Sequence, residues 1–323
     1  MPKKRMHQTI SLICTVRDEA DNIATLLESM LAQTRLPDEI IINDCLSRDE
    51  TPLIVRDYAA RHPRIHLVFG GHNIPSGRNS AIRAARGTLI ACTDAGLTLD
   101  TGWLAAIIAP LEAGTADLVG GFFRPVSQTL FELTLGAVNY RDVTEVDPVT
   151  FLPFGKSMAF RRELWERVGG FPEQLSHCED LVFDLAAEAA GFRRAFAPDA
   201  LVLFRPRPSW RAFARQYYLY ARGDGAARLW TRRHLARYTA YSALVALLTL
   251  ATRYRQLRLP VAVPLVIGTA GYTFAPYRRL WPRLGRHPIH QRLIALAFVP
   301  LIRLVGDLAK MAGYPVGRLR APR

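Results

Sequence analysis

Four acidic side chains stand at places where chemistry is done in α/β proteins. Asp44 follows Ile40-Ile41-Ile42-Asn43, Asp94 follows Leu89-Ile90-Ala91-Cys92-Thr93, and the pair Glu179-Asp180 opens a stretch carrying Leu181, Phe183, Leu185 and Ala189. In an open α/β sheet the carboxyl ends of the strands face the crevice where ligands bind. A single acid after a strand more often caps the helix that follows it. Acids recurring at equivalent places, with Arg78 and Gly96 nearby, point instead to a common site for a diphosphate and its metal. A strand-end carboxylate can hold a hard divalent cation that takes its other ligands from water and substrate phosphates. Gly96 permits close backbone approach, and the Arg78 guanidinium can meet a phosphate with two donors. Acids at a helix start are stabilised as anions, which suits Asp180 to general-base work.

These residues need a sheet to hold them. Ile10 to Val16 is an apolar run of strand length, and Ile23, Leu26, Leu27, Met30 and Leu31 form the stripe of an amphipathic helix. Glu39 to Asn43 reads as the next strand, and Thr51-Pro52 as the cap and first-turn proline of a helix through Ala60. The unit repeats: strand 65–69, helix 76–85 opened by Gly77-Arg78-Asn79, strand 88–93, helix 101–111 and a short strand 117–119. Farther on, a strand is expected over 154–160 and a helix over 161–168, closed by Gly169-Gly170. Such alternation predicts an α/β fold with a mostly parallel sheet flanked by helices. No Gly-x-Gly-x-x-Gly follows the first strand and no Gly-x4-Gly-Lys-Ser/Thr occurs, which counts against dinucleotide enzymes and P-loop ATPases.

Charge divides the chain of 323 residues. Residues 1–204 hold 20 Lys/Arg and 26 Asp/Glu, net −6, whereas residues 205–323 hold 22 Lys/Arg and only Asp224 and Asp307, net +20. The basic half interleaves Arg205, Arg207, Arg211 and Arg215 with Trp210, Phe213, Tyr217, Tyr218 and Tyr220, a pattern suited to lipid headgroups. Uncharged runs follow at Tyr238–Thr252 and Leu259–Tyr277, and the apolar stretch Leu293–Val305, broken by Arg303, is expected at an interface. Because these arginines alternate with apolar runs rather than lining a groove, membrane lipids are the expected partner and nucleic acid is not. A membrane hairpin with the catalytic domain facing the cytoplasm is expected, although Arg253, Arg255 and Arg258 in its turn oppose that arrangement under the charge-bias rule. A re-entrant or interfacial pair avoids the conflict. Cys14, Cys45, Cys92 and Cys178 lack zinc-like spacing, and Lys3-Lys4-Arg5 is not followed by an apolar signal segment. Domains are expected at 1–230 and 231–323.

Across residues 9–230 the motifs resemble a family 2 glycosyltransferase of the GT-A fold, an inverting, membrane-associated, bacterial-type member. Val16-Arg17-Asp18-Glu19-Ala20-Asp21-Asn22-Ile23 is similar to the family's first strand and helix, and Pro37 to Asp44 to its nucleotide-binding stretch, with Asn43 in place of the first of two acids. Gly77-Arg78-Asn79-Ser80-Ala81 and Ala85-Arg86-Gly87 resemble the segment before the metal-binding acid. There the family commonly has Asp-x-Asp, where this chain has Asp94-Ala95-Gly96. Gly169-Gly170-Phe171 and Glu179-Asp180 resemble the acceptor-side motif. The resemblance implies nucleotide binding at Arg17, Glu19, Asp44 and Arg78, a Mg2+ or Mn2+ cofactor at Asp94, and catalysis by Asp180 with Glu179. It implies sugar transfer from a nucleotide-diphospho-sugar to a lipid-linked or saccharide acceptor, in cell-envelope polysaccharide or glycolipid synthesis. Gln216-Tyr217-Tyr218-Leu219-Tyr220 lacks the Arg and Trp of the processive members' Gln-x-x-Arg-Trp, which argues against a polymerising synthase. A sugar-phosphate nucleotidyltransferase and a nonenzymatic membrane scaffold are the alternatives.

Overall fold

The computed structural model describes residues 8–320, so Lys3-Lys4-Arg5 lies outside the described residues. The chain divides into two compact units, Met1–Arg124 with Val143–Phe204, and Pro125–Asp142 with Arg205–Arg323. The first break in charge, at Arg205, coincides with this division, whereas residue 230 lies inside the second unit.

The first unit begins with strand β1 (Ile10–Val16), helix α1 (Ile23–Leu31), β2 (Glu39–Asp44), α2 (Thr51–Arg61), β3 (Ile65–Phe69), α3 (Ile74–Ala84) and β4 (Leu89–Asp94). Strands β1, β2 and β4 are buried along almost their whole length, which is why they read as unbroken apolar runs rather than alternating ones. The expected stripe of α1 packs inward through Ile23, Leu26, Leu27 and Met30. In α2 the N-cap is Glu50, not Thr51. Thr51 is instead the first helical residue, and its hydroxyl donates to Asp49 Oδ1 (2.6 Å) and accepts from the Glu19 amide (2.8 Å). α3 starts earlier than expected because Asn73 and Ser76 form a reciprocal capping box.

Next come β5 (Leu97–Leu99), α4 (Trp103–Glu112), β6 (Leu118–Pro125), α5 (Leu130–Asn139), β7 (Ser157–Arg161), α6 (Arg162–Val168), α7 (Glu179–Ala189) and β8 (Arg194–Phe204). The sheet order is β3-β2-β1-β4-β7-β6-β8-β5. The β3-β2-β1-β4 half is parallel, and beyond β4 the pairings to β7, between β6 and β7, and between β5 and β8 are antiparallel. Register sets Val16 beside Asp44 and Thr15 beside Asp94, so both acids end their strands at one edge of the sheet. Because β7 runs antiparallel to β4, its first residue Ser157 pairs with Thr93, bringing the preceding Gly155 and Lys156 to that same edge. Gly169, in the left-handed region at φ +80°, closes α6 as the sequence implied.

The second unit holds α5 and then α8 (Trp210–Ala226), α9 (Thr231–Arg253), α10 (Arg258–Leu280) and α11 (Ile289–Leu319). Its core joins Leu135, Val138, Phe213, Leu280, Val299 and Ile302. Phe213 is buried there, and the Trp210 and Tyr217 rings pack partly buried against that core. Likewise one face of the 293–305 stretch is buried through Ala295, Val299 and Ile302, while Leu293, Ile294, Leu301 and Leu304 are exposed on α11. α8 and α11 cross with backbones in contact: a methyl group on Gly313, Gly317 or Gly225 would strike the carbonyl of Tyr218, Arg222 or Tyr314. α9 and the segment 255–284 are long and apolar enough to cross a membrane by length and composition. α10 runs through Pro264 and Pro276 without interruption.

Asp117, just before β6, offers a check on the first unit. Burial alone would raise its carboxyl pKa, but donation from the Arg193 amide (3.0 Å) and guanidinium, with the nearby Arg161, outweighs burial and holds it below the ordinary value. A carboxyl depressed in this way stabilises the fold above the unfolded-state pKa of about 4 and loses that contribution as pH falls through the lower folded value. Asp117→Asn is therefore expected to be less stable than wild type near neutrality, with the gap closing as denaturation is measured at progressively lower pH.

Candidate active site

The sheet edge that carries Asp44 and Asp94 is joined to the start of α7 by one side chain. Arg78, in the first turns of α3, is 2% exposed. Its Nη2 donates to Asp94 Oδ1 at 2.6 Å and its Nη1 to Glu179 Oε1 at 2.8 Å. Burial works against the guanidinium's charge, but Asp94 and Glu179 outweigh it and raise the Arg78 pKa. Glu179 is nearly as buried. Its carboxyl is pushed up by burial, pulled down by Arg78 and pushed up again by Asp180 beside it, with a net rise. The face of Phe171 lies under the guanidinium, 5.5 Å from ring centroid to Cζ.

Two neighbours complete this clamp. Gly155 has no side chain because Arg78 fills the space, and a methyl group there would strike the guanidinium. The Gly155 amide donates to Asp180 Oδ2 at 3.1 Å, while Oδ1 accepts from the Leu181 amide at 2.8 Å. Asn79, next to Arg78, fixes the loop leading to α7. Its Nδ2 donates to Phe171 O (2.8 Å) and Glu173 Oε1 (2.9 Å), and its Oδ1 accepts from Trp165 Nε1 and the Phe171 amide, each at 2.9 Å. Consecutive residues of α3 thus hold the acid pair and the glycine-rich loop before it.

The structure brings Asp94, Glu179, Asp180 and Arg78 together. Arg78, expected to face phosphate, has two of its donors committed to carboxylates. Asp180 is only half-buried, which leaves it the more accessible of the acid pair. Asp44 is fully buried; its Oδ1 accepts from the Ser47 amide at 2.7 Å and its Oδ2 has no hydrogen-bond partner among the described residues. Asn43 turns its amide to Gly70 O at 2.8 Å, so it stays on the β2–β3 side. Arg17 is exposed beside Asp18, and the Glu19 carboxylate accepts from Asn22 Nδ2 at 3.1 Å and faces Gly96.

Among the described residues no three His, Cys, Asp or Glu side chains cluster to hold a metal. Asp94, however, is 39% exposed and keeps its second oxygen outside the Arg78 pair. That donor set fits a Mg2+- or Mn2+-type cation bound by one protein carboxylate and completed by substrate phosphates and water. Sequence reasoning missed the structural parts of the site, Gly155 and Asn79. The Gly-Arg-Asn run of α3 was the available signal for Asn79, and Gly155 had none beyond its being a glycine.

The fold is that of the GT-A glycosyltransferases. A mannosyltransferase from Pyrobaculum calidifontis, in complex with GDP-Man and Mn2+, superposes with a TM-score of 0.57 at 20% identity, over 98% of this chain and 87% of that one. TarS of S. aureus superposes with a TM-score of 0.50 at 17% identity, over 96% of this chain and 55% of that one. Residues 11–196 match the family described as Glycosyl transferase family 2, and the chain belongs to that family. It is similar to the uncharacterized glycosyltransferase EpsJ of Bacillus subtilis (strain 168), 28% identical over 212 residues, 62% of each chain. It is also similar to the glycosyltransferase AglE of Haloferax volcanii, 25% identical over 228 residues, 68% of this chain and 74% of that one. The succinoglycan biosynthesis protein ExoO of Rhizobium meliloti is 29% identical over 214 residues, 61% of each chain. The matches thus span about 62% of the length of EpsJ and 61% of that of ExoO.

Removing one member of a buried ion pair strands the others, at a cost of about 3–5 kcal/mol. Arg78→Leu is expected to lose stability on that scale in urea denaturation, and Glu179→Gln, which keeps a hydrogen-bond acceptor, markedly less.

Proposed function

We propose that this chain transfers a sugar from a nucleotide-diphospho-sugar to an acceptor hydroxyl with inversion at the anomeric carbon. The observation that carries this reading is the Arg78 clamp, which sets a half-exposed Asp94 and the base-bearing start of α7 at one edge of the sheet. Asp180 takes the proton of the acceptor hydroxyl as its oxygen attacks the anomeric carbon and the bond to the diphosphate breaks. Backbone amides of Gly155 and Leu181 hold the Asp180 carboxylate in place for this. Glu179, committed to Arg78, positions α7 rather than exchanging protons. Asp44 at the end of β2, with Arg17 and Glu19 on the adjoining loop, is assigned to the nucleotide side. Mg2+ or Mn2+ bound at Asp94 would offset charge on the leaving diphosphate. Arg78 adds fixed positive charge beside that position.

The exposed apolar surface of α9 and α10, including Val245, Leu248, Val266, Ile267 and Phe274, supports membrane attachment. The proposed arrangement keeps the catalytic unit on the cytoplasmic side and draws the acceptor from lipid-linked or other saccharides. Quantitative release into buffer without detergent or lipid would refute the attachment.

General-base catalysis contributes about 10²–10⁴-fold. Asp180→Asn is therefore expected to lower kcat by at least about 100-fold while leaving donor affinity within twofold or so. Near-normal turnover by that variant, in a donor panel assayed with Mn2+, would remove Asp180 from the role. Asp94→Ala is expected to abolish the metal dependence of nucleotide-sugar affinity measured by calorimetry.

A further inference from the structure

The helical unit carries four acids, and three of them are taken. Glu132 pairs with Arg205 at 2.7 Å, Asp142 with Arg283 at 2.6 Å, and Asp224 with His234 Nε2 at 3.1 Å. The fourth, Asp307, meets more positive charge than it can offset. On α11, Arg303, Asp307 and Lys310 share one face, at i, i+4 and i+7, and on α9 Arg233, Arg237 and Tyr241 do the same at i, i+4 and i+8. The two faces meet at Asp307. Its Oδ1 accepts from Arg237 Nε at 2.9 Å and lies 3.7 Å from Lys310 Nζ. Its Oδ2 accepts from the Tyr241 hydroxyl at 3.3 Å and from the Tyr272 hydroxyl of α10.

Arg233, Arg237, Arg303 and Lys310 therefore stand around one carboxylate. Among the described residues no carboxylate pairs with Arg303. Its guanidinium lies over the Tyr272 ring, 4.5 Å from Cζ to the centroid, and its Nε is buried without a hydrogen-bond partner. Such an atom calls for an explanation, an ion among them. The Lys310 ammonium packs 4.7 Å from the Tyr217 ring centre, and burial pushes its pKa down to about 8; Asp307 opposes that fall, while Arg237, Arg233 and Arg303 add to it. The cluster is not sealed. The Lys310 side chain is 25% exposed, Arg303 is partly exposed and Arg233 is exposed, so an anion can reach them from outside.

Position says which anion. Tyr241 and Tyr272, both bonded to Asp307, stand at the open end of the α9–α10 hairpin. Val245 and Leu248 follow on α9, and Val266 and Ile267 precede on α10, all exposed and within about two turns of those tyrosines. Basic side chains beside an exposed apolar helical surface match the depth at which a lipid carries its phosphate. Guanidinium and ammonium groups bind phosphate oxygens well.

We propose that Arg233, Arg303 and Lys310 form a site for the phosphate group of a membrane lipid, with Asp307 and Arg237 holding the two helices in register. The site rests on the apolar surface of α9 and α10 and is independent of the transfer chemistry. Its phosphate belongs either to a bilayer phospholipid or to an isoprenoid carrier, and the experiment separates the two.

The chain has four lysines, Lys3, Lys4, Lys156 and Lys310. NMR of the full chain in detergent micelles, its lysines carbon-13 dimethylated, thus reads Lys310 as one signal, assigned through Lys310→Arg. Farnesyl phosphate, phosphatidylglycerol and inorganic phosphate are the probes. A bound lipid phosphate is expected to shift that signal and to raise its titration midpoint by about one unit or more, as a nearby opposite charge does. Arg303→Gln is expected to weaken lipid binding about tenfold, and because it breaks no ion pair it should melt as wild type does. Arg255→Gln, which removes an exposed charge from the hairpin turn, should leave affinity within twofold or so. Tighter binding of farnesyl phosphate assigns the site to a carrier lipid, and tighter binding of phosphatidylglycerol assigns it to the bilayer. The proposal is overturned if Lys310 responds to neither lipid, if Arg255→Gln loses as much as Arg303→Gln, or if inorganic phosphate binds as tightly as the lipids. The Lys310 titration is read on wild type, so it decides the matter even where a variant does not fold.

Discussion

A guanidinium removed from water must find carboxylates, and the carboxylates it finds are then held wherever the guanidinium is. Arg78 satisfies this by bonding Asp94 at the end of β4 and Glu179 at the start of α7. The guanidinium between them offsets the repulsion between the buried Glu179 carboxylate and the half-exposed Asp94. The rest of the site follows from that single side chain. Gly155 must lack a side chain to leave it room, the Gly155 amide then reaches Asp180, and Asn79, one residue along, pins the loop that delivers α7.

The sheet supplies what the clamp cannot. Parallel pairing of β1 with β2 and β4 fixes which residues end at the crevice, and the antiparallel return of β7 brings the 154–157 turn back to the same edge. A slip of one residue in either pairing would turn Asp44 or Asp94 to the opposite face of the sheet. The buried apolar runs that enforce this register therefore determine chemistry many residues away.

This division explains what the chain alone disclosed. The parallel half was legible because β1, β2 and β4 are buried on both faces and its first helix carries a clear stripe, Ile23 to Leu31. β8 was not: Pro198 and Asp199 interrupt it, and its exposure varies from residue to residue. β5 is only three residues long, and α5, an apolar segment, belongs to the second unit although it lies between β6 and β7. The acids and Arg78 stood out by type and position. The partnership of Arg78 with Glu179 did not, since 101 residues separate them and no local pattern encodes that distance.

The crossing of α8 and α11 has a consequence of another kind. Gly225, Gly313 and Gly317 let main chain lie directly on main chain, with no side-chain layer between. Attraction at such a seam comes from dispersion among closely fitted atoms and weak C–H to carbonyl contacts, neither of which needs water to be expelled. A joint of that type holds as well against hydrocarbon as against aqueous solvent. The helical unit therefore carries a fastening indifferent to which medium surrounds it.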